Sequence, residues 1–250
     1  MFKQYLILLL IGHVTGEFYI IKRLYDDKEK SLKCVLIHFL SYLGAMLLIS
    51  LPIISLRIVL AVSIASISHM IIYILMILYV SLIDKKDSKI SDNAKNPFFI
   101  DQILHFMILF GISFWVTKSQ TPIISLRIVD EIFSIIGISK GLAASWILVL
   151  LLIHKPANLV IQNLLIVYKP MSSEKSELND NNAGRFIGTI ERIIILILLS
   201  IGQYSSIGLV LTAKSIARYD KISKEKDFAD YYLLGTLLST LIVIGCSFII

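Results

Sequence analysis

Long apolar segments separated by short charged ones restrict this sequence to one class of fold. Seven such segments occur, at about 4–21, 33–51, 57–83, 98–117, 142–168, 186–213 and 230–250. A helix needs about 20 apolar residues to cross the hydrocarbon core of a bilayer. Charged residues make up 17% of the chain, against about one-quarter in a soluble domain, and they cluster between the apolar segments. The sequence therefore predicts an all-α, polytopic transmembrane helix bundle with about seven membrane segments.

Two parts of the chain depart from regular spans. The segment 121–140, TPIISLRIVDEIFSIIGISK, carries charged residues near its centre and is too polar to cross the bilayer, so an interfacial or re-entrant helix is expected there. Pro156 lies inside the apolar segment 142–168, where it removes a helical hydrogen bond and clashes with the preceding turn. The sequence therefore predicts a helix broken at Pro156, with its two halves forming a hairpin.

An eight-residue repeat, PIISLRIV, occurs at 52–59 and again at 122–129. The sequences around the two copies do not align further, so we interpret the repeat as a shared interfacial turn. We divide the chain into two membrane units. The first, 1–120, holds four helices and the candidate site described below, and the second, 121–250, holds the interfacial segment, the hairpin and two further helices.

The distribution of charge predicts the orientation. The net charge is +6, and Lys and Arg concentrate in the connections after the first and third segments and in 214–230. Short cytoplasmic loops are rich in Lys and Arg, so these connections should be cytoplasmic and the N-terminus outside. That arrangement requires 142–168 to cross the membrane twice. Membrane lipid is an expected partner, whereas nucleic acid is not, because no basic polar face interleaved with aromatic residues occurs.

Ionisable residues occur within the first four apolar segments, where hydrocarbon surrounds the helices. They are four of the five histidines and two carboxylates, namely His13, Glu17, His38, His69, Asp101 and His105. His13 and Glu17 are four residues apart, which places both side chains on one face of a helix, and the last two groups have the same spacing. Counted at about 1.5 Å per residue, most of these groups lie roughly 6–12 Å below the cytoplasmic surface, with His69 deeper.

These groups indicate a functional site, because burying a carboxylate in hydrocarbon is costly and ionisable residues in membrane helices normally have a function. Imidazole and carboxylate together suit a divalent metal, zinc first and iron or manganese as alternatives, and helix bundles build such sites from inward-facing pairs. A proton or ion pathway and a structural network are the other interpretations. We predict a metal site whose ligands are His13, His38, His69 and His105.

The C-terminal half offers further polar candidates, Glu191, Gln203 and Tyr204. Gln203 and Tyr204 follow Gly202 in the middle of an apolar segment and could hydrogen-bond the last helix at Thr236 or Ser239. Helix packing is favoured over a substrate contact for these residues. No P-loop, Gly-x-Ser-x-Gly or Cys-x-x-Cys motif occurs, so nucleotide hydrolysis, serine-esterase chemistry and thiol-redox chemistry lack support.

Several of these motifs resemble a bacterial membrane family, the domain-of-unknown-function family 3307. The resemblance rests on HVTGEF in the first helix and FFIDQILHF in the fourth, and it continues through LIHFL and ISHMI. In the C-terminal half, NAGRFIGTIERIIILILLSIGQYSSIGLVLTAKSIARY and YYLLGTLLS are similar to the longer members. The family's layout of histidines and acids is similar to that of membrane-bound metal-dependent hydrolases, which is an analogy of pattern. The resemblance implies location in a bacterial cytoplasmic (inner) membrane.

The sequence departs from the family pattern at two positions. Family members usually have Asp where Glu17 stands, a mild change. They often have Asp four residues after the third-helix histidine, where this chain has Tyr73. Without that carboxylate, a single histidine-rich site is expected rather than a pair of metals.

Two classes of function are consistent with this pattern. The first is a membrane-embedded metal-dependent hydrolase of a lipid or lipid-linked substrate, with Glu17 as general base and Asp101 as a ligand or orienting partner. The second is a metal- or proton-coupled transporter or channel, although such sites tend to lie at the midplane on broken helices. A structural or regulatory membrane partner is a third alternative. The oligomeric state stays open.

Overall fold

The computed structural model describes residues 1–20, 32–53, 55–84, 95–118, 125–168 and 177–250. Within these ranges the chain is all-α and contains no strand, which confirms the predicted fold class. The helices are α1 (Phe2–Val14), α2 (Leu32–Ser50), α3 (Leu56–Asp84), α4 (Lys95–Lys118), α5 (Arg127–Ile136), α6 (Lys140–Leu165), α7 (Glu177–Ser200), α8 (Tyr204–Ile216), α9 (Tyr219–Lys224) and α10 (Lys226–Ser247). A π-helical segment, Thr15–Ile20, continues α1, and 3-10 turns at Leu51–Ile53 and Ile166–Tyr168 follow α2 and α6.

The protein is a membrane-spanning helical protein. Among the described residues, five helices are long and apolar enough to cross a bilayer: Lys33–Ile53, Leu56–Leu82, Pro97–Lys118, Lys140–Tyr168 and Lys226–Ser247. The other two predicted segments are helical but interrupted, one by the π-helical segment after α1 and one between α7 and α8. The lysine-rich connections 21–31 and 85–94, on which the predicted orientation depends, lie outside the described residues.

Two compact units make up the chain, Met1–Leu148 and Val149–Ile250, with α6 running from the first into the second. These units are defined by contacts between residues, so the predicted division into domains at residue 120 stays a prediction. The membrane site considered below lies within the first unit.

In the first unit, α1, α2, α3 and α4 pack in a closed ring, because each contacts its two neighbours and α1 also contacts α4. The apolar core fills one end of this ring. It contains Tyr5, Leu9, Tyr42, Met46, Ile58, Ala61, Val62, Ala65, Leu109, Ile112 and Val116. These residues come from the first half of α1, the second half of α2, the first half of α3 and the second half of α4. The other end of the same ring therefore holds His13, His38 and Asp101.

Two glycines bring α1 and its π-helical continuation close to α2. A Cβ atom at Gly12 would clash with the Met46 sulfur, and one at Gly16 would lie 2.9 Å from Cδ2 of Tyr42. The two positions form a Gly-x-x-x-Gly pattern, which is typical of close helix contacts in membranes. Because His13 lies between them, the close approach also sets how near its imidazole comes to α2.

The outer surface of the ring is apolar while ionisable groups lie inside it. On α4, Ile103 is 61% exposed and Met107 is 63% exposed, whereas His105 between them is 3% exposed. Large exposed apolar areas on a soluble monomer are unusual. Hydrocarbon around the helices accounts for this inverted distribution, because lipid solvates the isoleucine and methionine side chains.

The described part of the segment 121–140 contains the short helix α5. In α5 no residue is buried, and its apolar side chains Ile128, Ile132 and Ile135 are exposed. Hydrogen bonds to the Asp130 carboxylate, first from Lys140 and then from Ser125, lower the pKa of that carboxyl group. A helix is thus confirmed within this segment, and its location at the bilayer surface stays a prediction.

The two copies of the octapeptide repeat meet in the first unit. The backbone N–H of Leu126, in the second copy, donates to the carbonyl of Pro52, in the first copy, at 2.8 Å. Residue 54 and residues 122–124 of the repeat lie outside the described residues.

In the second unit the predicted break at Pro156 is wrong, since α6 is continuous from Lys140 to Leu165 with the proline inside it. A long-range contact stabilises the turn that the proline disturbs: Nε of Arg192 donates to the carbonyl of Ile153 at 2.6 Å. Pro156 leaves the carbonyl of Leu152 without its helical donor, and Arg192 adds a hydrogen bond at the next carbonyl; membrane helices tolerate proline where neighbouring groups supply additional bonds of this kind.

The reversal of direction occurs instead between α7 and α8. Gly202 has a φ of +72°, a left-handed conformation that costs glycine little and other residues more. Beyond the turn, Nζ of Lys214 lies 2.5 Å from Oε2 of Glu191, which pairs residues at similar distances on either side of Gly202. α7 and α8 are therefore antiparallel, and the predicted single segment 186–213 is two helices.

Candidate metal centre

The six ionisable groups singled out in the sequence all lie in the interior of the first unit. Their exposed fractions are between 3% and 4% for His13, Glu17, His38, His69, Asp101 and His105. They come from α1 with its π-helical continuation, from α2, from α3 and from α4. Their contacts, however, divide them into two groups with different surroundings.

Glu17 occupies the π-helical segment Thr15–Ile20. A π-helix closes i→i+5 hydrogen bonds, so it turns side chains away from the directions that an α-helix would give them, and such segments often occur at functional sites. Oε2 of Glu17 lies 3.4 Å from Nε2 of His69. The Glu17 carboxylate therefore contacts a histidine of another helix, His69 of α3.

Three side chains meet closely enough to share one cation. A carboxylate oxygen of Glu17, a ring nitrogen of His38 and a ring nitrogen of His69 all lie within 4.8 Å of one another. We call these three residues the ligand trio. Each comes from a different helical element, so packing of the ring, rather than local spacing, brings them together.

A chain of hydrogen bonds sets the tautomer of His69. Nδ1 of His105 lies 2.8 Å from the backbone carbonyl of Asp101, which can only accept, so this nitrogen carries a proton. In neutral His105, Nε2 is then an acceptor, and it lies 2.8 Å from Nδ1 of His69, which must donate. Nε2 of neutral His69 consequently carries a lone pair and no proton, and it is the nitrogen that lies 3.4 Å from Oε2 of Glu17.

His38 completes the trio with nitrogens that are not used elsewhere. Neither of its ring nitrogens, nor Nε2 of His69, has a hydrogen-bond partner among the described residues. The ring of His38 stacks on that of Tyr73 with centroids 4.1 Å apart, which fixes its plane. Buried polar atoms are normally hydrogen-bonded, so these nitrogens need an explanation. A bound cation provides one.

His13 and Tyr42 form the edge of the cluster. Nδ1 of His13 lies within hydrogen-bond distance of the Tyr42 hydroxyl, at 3.0 Å, and its ring stacks on His105 with centroids 4.9 Å apart. The Tyr42 ring lies 3.7 Å from that of His69, measured between centroids. Tyr42 was not singled out in the sequence, although it lies four residues after His38 and so on the same face of α2.

Asp101 contacts the histidine of its own helix and its neighbour in sequence. Its Oδ1 lies 3.4 Å from Nδ1 of His105, and its Oδ2 accepts a hydrogen bond from Gln102 at 2.9 Å. The predicted i,i+4 pair on α4 is therefore in contact. Both the carboxylate and the carbonyl of Asp101 hold the proton of His105 on the nitrogen that faces away from His69.

The three candidates of the C-terminal half lie in the second unit. Glu191 is buried and paired with Lys214, as described above. Gln203 and Tyr204 lie at the turn between α7 and α8 and are exposed, so their predicted hydrogen bonds to α10 are wrong. Lys214 bonds Thr236 at 3.3 Å and Arg192 bonds Ser239 at 3.2 Å instead. The reversal at Gly202 is the reason, because it moves both residues to the end of the helices.

A family comparison covers the four-helix ring and the interfacial helix. The family described as "Protein of unknown function (DUF3307)" matches residues 5–132. The chain belongs to this family. The match includes every member of the ligand trio, so the site is part of the region that defines DUF3307. No curated protein and no solved structure matches the chain.

The DUF3307 match ends within α5, so it leaves the second unit unassigned. The likeness of the C-terminal motifs to longer members of DUF3307 stays a prediction. The likeness to membrane-bound metal-dependent hydrolases is supported only by the histidines and acids in the cluster.

Proposed function

We propose that this DUF3307 protein binds one divalent transition metal through Glu17, His38 and His69, with zinc as the first candidate. The observation that carries the proposal is the direction of the His69 lone pair. Hydrogen bonds that begin at the Asp101 carbonyl leave Nε2 of His69 unprotonated and 3.4 Å from a carboxylate oxygen. Two lone pairs facing each other repel unless a proton or cation lies between them, and His38 adds a third donor.

The donor set fits a catalytic metal better than a purely structural one. Structural zinc sites are closed by four protein ligands, most often with cysteine, whereas catalytic sites combine three ligands such as two histidines and one glutamate with an open position. The ligand trio has that composition. When bound, a divalent metal supplies Lewis-acid activation of water and of a carbonyl or phosphoryl oxygen. We therefore favour a metal-dependent hydrolase over a structural metal protein.

The remaining residues of the cluster have positioning roles in this proposal. His105 and Asp101 hold His69 in the tautomer that binds metal, as outer partners of metal ligands commonly do. The His13 imidazole and the Tyr42 hydroxyl lie beside the trio and can hydrogen-bond the polar part of a substrate. The geometry favours Glu17 as a ligand, in place of the general-base role expected from the sequence.

The substrate class follows from the surroundings of the site. The trio is buried inside a ring of helices whose outer surface is apolar, so a substrate that is itself a lipid or lipid-linked molecule can approach from within the bilayer. Hydrolysis of an ester or phosphoester bond near the headgroup level is the reaction that we propose. The bacterial cytoplasmic membrane, with the N-terminus outside, is the proposed location.

The metal assignment is tested by elemental analysis of the protein purified in a phosphate-free detergent. We expect about one zinc per chain after equilibration with zinc and removal of excess, and loss of that zinc in His38→Ala and in His69→Ala. His154→Ala is the matched control, since His154 is the histidine outside the cluster and contacts Thr189 at 3.4 Å. Wild-type protein that holds no metal, or His38→Ala that holds as much as wild type, contradicts the proposal.

A second measurement separates hydrolysis from transport. The zinc-loaded protein in lipid nanodiscs made from a bacterial lipid extract should release water-soluble headgroups, detected by mass spectrometry, and His38→Ala should release none. If wild type binds zinc but releases no product, the hydrolase is wrong while the metal site stands. Zinc or proton flux into liposomes by such a protein would then identify a transporter.

A further inference from the structure

The second unit contains a cavity of about 440 Å³ among α6, α7, α8 and α10. Its walls come from the C-terminal halves of α6 and α8 and from the N-terminal halves of α7 and α10. These helix ends meet at one end of the unit, next to the charged connection that contains α9. Pockets that bind small organic ligands have volumes of roughly 300–1,000 Å³, so this cavity is large enough for one.

The lining of this cavity is strongly basic. Four cationic side chains contribute to it, namely Arg185, Arg192, Lys214 and Arg218, and no acidic side chain is among the described lining residues. One of these charges is balanced, because Lys214 pairs with Glu191 at 2.5 Å. The three arginines leave an excess of positive charge facing the cavity. Partly enclosed basic clefts concentrate anions, because low-dielectric walls focus the field.

Arg192 is the deepest of these cations and is held in place by neutral groups only. Its side chain is 1% exposed. Its guanidinium donates to the carbonyl of Ile153 at 2.6 Å, to Oδ1 of Asn158 at 2.6 Å and to Oγ of Ser239 at 3.2 Å. The carboxylate whose charge acts on Arg192 is that of Glu191, which Lys214 also pairs, so one carboxylate serves two buried cations at a cost in free energy. With a fourth hydrogen bond, to Oγ1 of Thr189 at 3.2 Å, four of the five N–H groups are used within the protein, so Arg192 offers an anion in the cavity its charge and one N–H of Nη1.

Other lining groups indicate the chemical class of the anion. The hydroxyl group of Thr236 adds a hydrogen-bond donor, and an apolar wall includes Leu165 and Phe228. Arginine forks match the geometry of phosphate oxygens, and mixed Arg and hydroxyl sites are typical of phosphate recognition. The apolar wall suits an organic group attached to the phosphate. We propose that the cavity binds a phosphate-bearing ligand, either a free phosphate ester or the headgroup of an anionic phospholipid.

This site is independent of the ligand trio, since all its residues lie in the second unit and none of the trio does. Failure of the metal proposal therefore leaves it unaffected. Its ligand would bind through arginines and hydroxyls, without any metal.

The test uses the full chain in dodecyl maltoside, a detergent without phosphate, at constant ionic strength set with sodium chloride. One arm measures binding of inorganic phosphate and phenyl phosphate by isothermal titration calorimetry. The other arm measures retention of short-chain phosphatidylglycerol by native mass spectrometry. Arg218→Gln removes a lining charge near the opening without emptying the interior. Lys224→Gln is the matched control, because it removes one charge from α9 and does not line the cavity.

We expect wild type and Lys224→Gln to bind equally, and Arg218→Gln to bind about tenfold more weakly, because a charge-assisted hydrogen bond is lost. Weakened binding in the first arm identifies a free phosphate ester, and weakened retention in the second identifies a phospholipid headgroup. Absence of binding in both arms, or equal effects of Arg218→Gln and Lys224→Gln, overturns the proposal. Binding in both arms is also measured for Arg192→Gln if that variant folds, and for Arg185→Gln if Arg192→Gln does not fold.

Discussion

Substitution of Gly16 by alanine tests whether the close approach of α1 and α2 determines the geometry of the cluster. The new Cβ would lie 2.9 Å from Cδ2 and 3.4 Å from Cε2 of Tyr42. Ordinary carbon–carbon contacts are about 3.5–4.0 Å, so the ring or the helix has to move by roughly 0.6 Å. The ring cannot move freely, because its hydroxyl lies 3.0 Å from Nδ1 of His13 and its centroid 3.7 Å from that of His69.

The expected cost combines two opposing effects. Overpacking a well-packed interior costs about 1–3 kcal/mol. Replacing glycine by alanine within a helix returns about 0.5–1 kcal/mol. Subtracting the mid-range values leaves a net destabilisation of Gly16→Ala of about 1 kcal/mol, and a chain of this size should lose about 2–4 °C of Tm per kcal/mol. Zinc affinity should fall as well, since displacement of Tyr42 presses on His69.

Thermal unfolding in detergent, followed by tryptophan fluorescence, measures the first effect, and zinc titration measures the second. Gly44→Ala is the control, because a Cβ there meets nothing within 4 Å. That variant should unfold at the wild-type temperature or above it and bind zinc normally. If Gly16→Ala behaves like Gly44→Ala in both assays, the contact with Tyr42 does not limit the packing and the reasoning is refuted.

Three further outcomes are expected. The carboxyl of Asp130 should titrate below its ordinary pKa in NMR of ¹³C-labelled protein, chiefly because Lys140 donates a hydrogen bond to it, and a midpoint at or above the ordinary value would contradict that contact. Because the folded-state pKa is lowered, any stability that this carboxylate adds is present at neutral pH and is lost as the pH falls through the folded-state pKa. In a variant without native cysteines, single cysteines at positions 203 and 220 should react with impermeant reagents from opposite sides of the membrane; reaction from the same side would show that α8 does not return across it. Tyr42→Phe should lower the free energy of unfolding by about 0.5–1.5 kcal/mol, measured by denaturant titration in mixed micelles, and an unchanged value would mean that the hydroxyl makes no net contribution.

The sequence was sufficient to predict the membrane helices and the burial of the ionisable groups, because both depend on apolar length and on the cost of charge in hydrocarbon. It was not sufficient to choose the trio. The i,i+4 rule paired Glu17 with His13, yet the π-helical segment directs Glu17 toward His69. Periodicity calculated for an α-helix cannot reveal that change in direction.

The reversal in the C-terminal half was predicted at the wrong residue for a related reason. A proline is a strong local signal and Gly202 in an apolar segment is a weak one, so the sequence favoured a break at Pro156. The structure shows that a residue distant in sequence, Arg192, supplies a hydrogen bond next to the proline, which local patterns do not encode. Gly202 reverses the chain at a left-handed φ, and the orientation inferred from the charge distribution stays a prediction.

The contact between Arg192 and the turn before Pro156 also has a consequence for how this chain can vary. Replacing the proline would restore a donor to the carbonyl of Leu152 and leave the bond from Arg192 to Ile153 in place. Replacing the arginine would remove a donor within a buried site, beside a turn that already lacks one helical hydrogen bond. The arginine should therefore be harder to replace while the proline is present, although the two residues lie on different helices.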